Sequence, residues 1–147
     1  MTEPTAQVSR TLHAPVDEVW RVLTDARKVG SLFMGSTVET NFHVGSPITF
    51  RGEFKGKAYE DKGEILDVHK GRRLSFSHYS GMSGAPDKPE NYHVVTFDLD
   101  PQREATRVTL TQSNLTGGVR PSDVTHKADY EKTWSAVLDG LDKAVAQ

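Results

Sequence analysis

The sequence predicts an α+β fold: one continuous antiparallel sheet with helical segments at its two ends. Three observations carry this. A strand-like start, Val8 to Leu12, runs directly into a helix opener, Ala14 to Trp20. A long series of strand-and-turn segments follows. One amphipathic helix, carrying Trp134, Val137, Leu138 and Leu141, closes the chain. Such a sheet has one face to curl around a helix, and the arrangement often leaves a cavity between the two.

Val8–Leu12 alternates apolar and polar, the pattern of a half-buried or edge strand. Pro15 follows at the first helical position, where its fixed φ and missing N–H are tolerated. Val16, Val19, Trp20 and Leu23 then form one helical stripe. Thr24-Asp25 and Gly30 end this helix, with a short second turn over Ala26–Val29. Leu32-Phe33-Met34-Gly35 is an apolar, irregular stretch. Strands are expected at Ser36–Val44 and Ile48–Phe54, then, after a turn at Lys55-Gly56-Lys57, at Ala58–Val68. Leu74–Tyr79 alternates cleanly, and Gly81–Glu90 reads as a loop from its glycines and prolines. Tyr92–Leu99 and Thr106–Asn114 are two further strands around a turn at Asp100–Arg103. After a Gly117-Gly118 loop, Ser122 or Asp123 caps the closing helix. Gly140 lies inside that helix at a cost of about 1 kcal/mol against alanine, which close approach to another backbone would explain.

The length of 147 residues fits one domain, 1–147, able to bury a sizeable core. A net charge of −2 sets up no strong field for nucleic acid or anionic membrane. The absence of cysteine excludes disulfides, thiolate zinc sites and cysteine nucleophiles, and it fits a cytoplasmic setting. Met1–Gln7 lacks the basic start and apolar run of a secretory signal. No stretch approaches the ~20 apolar residues of a membrane span.

Alternation also assigns faces. Leu74, Phe76 and His78 share one face; so do His93, Val95, Phe97 and Leu99, and so do Val108, Leu110, Gln112 and Asn114. With regular hairpins, His78 falls opposite His93 and His93 opposite Gln112. Glu64 joins this polar row if Leu66 and Val68 also point inward. Buried polar groups need partners, and these would find them in one another, in water or in a ligand. No spacing marks a metal site, no HExxH, GxSxG, P-loop or GxGxxG is present, and no cofactor is expected. A histidine acid–base is chemically available, but the sequence selects no catalytic set. His13, His43, His69 and His126 are expected on solvated surfaces.

Four segments in order resemble a known group. Ala14-Pro15-Val16-Asp17-Glu18-Val19-Trp20-Arg21-Val22-Leu23-Thr24-Asp25 is similar to the opening signature of the START-like (SRPBCC) superfamily. Gly63–Val68 with Arg72–Phe76, Thr106–Thr111 and Trp134–Leu141 resemble the central hairpin, last strand and closing helix of its activator-of-heat-shock-chaperone-ATPase (AHSA)-like branch. The resemblance implies a helix-grip fold, a curved sheet around a long C-terminal helix with two short helices near the N-terminus. It also implies hydrophobic ligand binding for most members and cyclase or hydrolase chemistry for a few. The branch commonly has Trp-Phe where this chain has Leu32-Phe33. The chaperone-activating role belongs to larger proteins and is not carried over.

The leading expectation is a small soluble protein that binds an apolar or amphipathic small molecule between sheet and closing helix. The expected lining is Phe50, Phe76, Val95, Leu110, Tyr130 and Trp134, with His78, His93 and Gln112 orienting the ligand. Leu32–Met34 and the loops Gly81–Glu90 and Thr116–Pro121 border the entrance. Two rival classes stand beside it: a cyclase- or hydrolase-like enzyme using a pocket histidine, and a chaperone-associated or other interaction module without a ligand. A homodimer through a sheet edge or the first helix is a further partner expectation.

Overall fold

The computed structural model describes residues 3–145. Strand β1 (Pro4–Leu12) leads into helices α1 (Val16–Leu23) and α2 (Ala26–Leu32). Strands β2 (Thr37–Glu39), β3 (Pro47–Phe54), β4 (Lys57–His69), β5 (Arg73–His78), β6 (His93–Gln102) and β7 (Ala105–Asn114) follow, and α3 (Pro121–Val145) closes the chain. The seven strands form one antiparallel sheet in the order β1-β7-β6-β5-β4-β3-β2. It is a meander whose first strand returns to the side of its last. This is the helix-grip arrangement.

Local chemistry explains the elements. Pro15 stands one position before α1, in extended conformation, and its carbonyl accepts from Glu18 N–H at 3.0 Å. Asp25 starts a second helix rather than merely ending the first: its carboxylate accepts from the N–H groups of Arg27 and Lys28 at 3.0 and 3.3 Å. Gly30 does not stop α2. It lies within the helix, at a point where a Cβ would sit 2.1 Å from the Ser36 carbonyl oxygen. Lys55-Gly56 forms the tight turn of the β3–β4 hairpin, both residues at positive φ.

Two further expectations need correcting, and a third resolves between the two residues it named. The strand expected at Ser36–Val44 spans only Thr37–Glu39, because Asn41 Oδ1 accepts from His43 N–H at 2.9 Å and Phe42 takes a positive φ of 60°. The β6–β7 turn is at Arg103-Glu104, since Gln102 still pairs with Ala105. Asp123, not Ser122, serves the start of α3, accepting from Arg120 N–H at 2.8 Å from within the first turn. Gly140 faces Leu32 of α2, whose Cδ2 lies 3.2 Å from the position of a Cβ.

Strand β4 changes partner along its length. Lys57–Glu64 pairs with β3, and Ile65–His69 pairs with β5 across a bulge between Ile65 and Asp67. Just before this changeover stands Gly63, where a Cβ would lie 1.7 Å from the Ser77 carbonyl oxygen. Only glycine lets the two backbones pass this closely. The core packs Phe76, Val95, Phe97, Val108 and Leu110 of the sheet under Val19, Leu23, Val137, Leu138 and Leu141 of the helices.

Candidate functional site

Helix α3 does not lie over the middle of the sheet. It docks toward the β1 side: Gln7 N–H donates to Glu131 at 3.2 Å, Arg10 pairs with Asp139, and Trp134 Nε1–H donates to Gln112 Oε1 at 2.8 Å. The inner face of β3, β4 and β5 is therefore left without a helix directly above it. A hollow of about 460 Å³ results. The sheet contributes Phe50, Tyr59, Asp61 and His78 to its wall; α3 contributes Lys132, Thr133, Trp134, Ala136 and Val137. The α2–β2 connection adds Leu32, Phe33, Met34 and Ser36.

Aromatic rings set the shape. Phe33 lies 5.2 Å from Phe50 and 6.1 Å from Trp134, centroid to centroid, tilted or edge-on in each case. The Tyr59 ring lies over Gly52, its hydroxyl 2.6 Å from where a Cβ would stand. Met34, 68% exposed, stands at the mouth.

The polar end is an Asp–His pair. Register places Asp61 opposite Phe50, so its carboxylate faces inward. Asp61 Oδ2 lies 3.1 Å from His78 Nε2, and Asp61 Oδ1 accepts from Gly81 N–H at 2.9 Å. Gly81 can come this near because it lacks a Cβ, which would meet the Glu60 carbonyl oxygen at 2.2 Å. His78 also meets the Phe50 ring edge-on at 5.5 Å. A carboxylate holding one imidazole nitrogen orients that ring as an acceptor, donor or proton carrier toward the hollow.

Of the residues read from sequence, Phe50, His78 and Trp134 border the hollow. Phe76, Val95 and Leu110 are buried in the core and do not line it. Gln112 is also buried, between Trp134 and Thr5, whose hydroxyl accepts from Gln112 Nε2 at 2.9 Å. His93 and Tyr130 meet edge-on at 5.9 Å outside the hollow. The expected polar row is not continuous: His78 faces His93, but His93 faces Asn114 and Gln112 faces Val95. The cause is the later β6–β7 turn, which slides the partner strand by two residues. Glu64 is exposed, and Ile65 takes the inward position instead.

Leu32–Met34 borders the mouth as expected from sequence, whereas Gly81–Glu90 and Thr116–Pro121 do not line the hollow. The former loop is strapped over the outer face of the sheet. Lys62 pairs with Asp87, Tyr92 Oη donates to Asp87 at 2.6 Å, and Tyr92 stacks on Tyr79 at 5.3 Å.

His93 belongs to a second polar group. Burial works against the Asp123 charge, but Arg120 N–H and the Asn114 amide, each at 2.8 Å, outweigh it and hold the carboxyl below the usual range. Burial lowers the pKa of His93; Asp123 opposes this, while His78 and Arg120 add to it. Burial, then the charge of Asp123, raises that of the Tyr130 phenol. Among the described residues, no three His, Asp or Glu side chains come together in a set suited to a metal ion.

Sequence reasoning missed Asp61, Tyr59 and Ser36. The available signal was the shared parity of Tyr59 and Asp61, read against the Lys55-Gly56 turn that brings them opposite Gly52 and Phe50.

Comparison with known proteins places this geometry. The family model for Activator of Hsp90 ATPase homolog 1-like protein matches residues 13–146. The solution structure of ChR145 from Cytophaga hutchinsonii is 40% identical, with 94% of this chain and 90% of that one covered and a TM-score of 0.76. MLL2253 from Mesorhizobium loti is 22% identical, with 95% of each chain covered and a TM-score of 0.73. The Aha1 dimer from Colwellia psychrerythraea is 18% identical, covering 95% and 94%, with a TM-score of 0.69. These last two likenesses concern the fold alone. No curated protein matches the chain.

Proposed function

The chain belongs to the family of Activator of Hsp90 ATPase homolog 1-like proteins, and within it we propose that this member binds a mostly apolar small molecule in the hollow between β3–β5 and α3. One observation carries the reading: an aromatic-walled space of about 460 Å³ with an oriented Asp61–His78 pair as its main polar feature. Ligand cavities fall in the range of roughly 300–1,000 Å³ and combine apolar walls with a few placed polar groups. Self-association carries over from the Colwellia dimer as a proposal only.

The test uses N-phenyl-1-naphthylamine, a neutral dye that brightens in apolar surroundings. The expected result is saturable binding by the native chain and loss of at least about tenfold in affinity for Ala136→Trp, which places an indole in the space. A folded Ala136→Trp chain that binds the dye as the native chain does refutes the assignment.

A second reading has one observation in its favour. The Asp61 carboxylate holds the His78 ring at the wall of the cavity, as an orienting group holds a general base. It requires that a bound molecule be chemically changed, which mass spectrometry of bound material before and after incubation reads directly.

A further inference from the structure

We infer, resting on the cavity reading above, that Met34 is the residue that retains the guest: its side chain covers an apolar molecule at the mouth of the hollow, from a turn that holds it there against its own backbone preference.

The turn shows the conflict. Ser36 N–H donates to the Phe33 carbonyl at 3.1 Å, closing a four-residue turn whose central residues, Met34 and Gly35, both take positive φ, 58° and 69°. That is the mark of a type I′ turn, whose central positions favour glycine, asparagine and aspartate. Gly35 suits its place. Met34 does not, because in left-handed backbone its Cβ crowds the following carbonyl oxygen. The flanks fix the turn on both sides. Phe33 N–H donates to the carbonyls of Val29 and Gly30 at 3.2 and 3.1 Å, the Phe33 ring packs on Phe50 and Trp134, and the Ser36 carbonyl lies close against Gly30. Local strain persists only where its surroundings impose it, and it concentrates at ligand sites.

The place of Met34 separates it from similar residues. Among the described residues, Phe42, Lys55 and Glu104 also take positive φ without being glycine. Lys55 and Glu104 are charged, exposed tips of hairpins, and Phe42 packs against the core. Met34 instead puts a long apolar side chain into water while lining the hollow, and of the large exposed apolar side chains among the described residues it alone lines it. The other exposed parts of the lining, Lys132, Thr133 and Ala136 of α3, offer no large apolar group.

A guest changes the balance at this position. Without one, the methionine has little to pack on. With one, the guest supplies the surface that takes the side chain out of water, and that burial opposes departure. An unbranched thioether with three rotatable bonds fits guests of differing contour. The part of the guest that meets it is apolar, since a charged group beneath the thioether would lose hydration without gaining a partner. The strained position therefore works in the loaded protein and is a burden in the empty one.

The test reads both halves on the native chain, Met34→Asn and Met34→Leu, with amide NMR spectra confirming each fold. N-phenyl-1-naphthylamine titration gives affinity, and thermal melts of the dye-free chains give Tm. Asparagine before Gly35 suits a type I′ turn and removes the apolar cover, so Met34→Asn is expected to raise Tm by about 2–6 °C and to weaken the dye about three- to tenfold. Leucine keeps both the strain and the apolar cover, so Met34→Leu is expected to leave Tm within about 2 °C and affinity within about twofold of native. A Met34→Asn chain that binds the dye as the native chain does, or that melts below it, overturns the inference while native binding keeps the cavity reading. So does a Met34→Leu chain that loses as much affinity as Met34→Asn. A native chain that does not bind the dye overturns both readings together.

Discussion

Replacing Gln112 by leucine isolates what holds α3 in place. Gln112 is 2% exposed and makes two side-chain bonds, accepting from Trp134 Nε1–H at 2.8 Å and donating to Thr5 Oγ1 at 2.9 Å. Leucine fills most of the same volume, so the added cavity term is small. The Thr5 hydroxyl keeps its bond to the Gln112 backbone carbonyl at 3.3 Å. The Trp134 N–H, on a side chain 8% exposed, keeps no acceptor. One orphaned buried donor costs about 1–3 kcal/mol, and the apolar leucine returns part of that, so Gln112→Leu is expected to destabilise by about 2 kcal/mol. Urea unfolding followed by far-ultraviolet circular dichroism measures it. Trp134→Phe removes the donor itself, and the double variant should then be more stable than the sum of the two single losses by about 1–2 kcal/mol. Additive losses, or a Gln112→Leu loss below about 0.5 kcal/mol, refute the claim that this bond anchors the helix.

Two other expectations concern the frame. Gly63→Ala forces a Cβ into the Ser77 carbonyl and is expected to cost about 3 kcal/mol or more, lowering Tm by roughly 6–12 °C in a thermal melt; an unchanged Tm refutes the crossing geometry. The folded-state pKa of His93 is depressed, so the unfolded chain binds its proton first as pH falls below the ordinary value of 6.5. The stability that depends on a neutral His93 is therefore present above that pH and declines from about 6.5 down to the folded-state value. Urea midpoints between pH 7.5 and about 5 should fall for the native chain and fall less for His93→Gln; parallel slopes refute it. The charged and titratable groups facing His93 are Asp123, Arg120 and His78.

Much of the fold was legible because alternation is strict where one sheet face is dry. Leu74–His78, His93–Leu99 and Val108–Gln112 each announce their inward set, and the His78–His93 pairing follows from it. Helix α3 is equally plain from Trp134, Val137, Leu138 and Leu141, all buried. The site is harder to read for a physical reason. Its wall lies on β3 and the first half of β4, where Ala58–Glu64 carries hardly an apolar residue to mark parity. The bulge between Ile65 and Asp67 then reverses the parity of everything counted back from Val68, which makes Glu64 look inward and hides Asp61. Ser36 was illegible because its burial comes from a helix–strand contact at Gly30, not from any periodic pattern.

The sideways seat of α3 sets what the lining of the hollow can tolerate. Headroom over β3–β5 is fixed by where the helix leans, so changing the lining alters the contour offered to a guest without collapsing the vault. The cost is permanent: Phe33, Phe50 and Trp134 forgo contacts that a filled interior would supply. Under the proposed binding, an occupant would repay that deficit, and the empty protein would be the less stable of the two states by the free energy of occupancy.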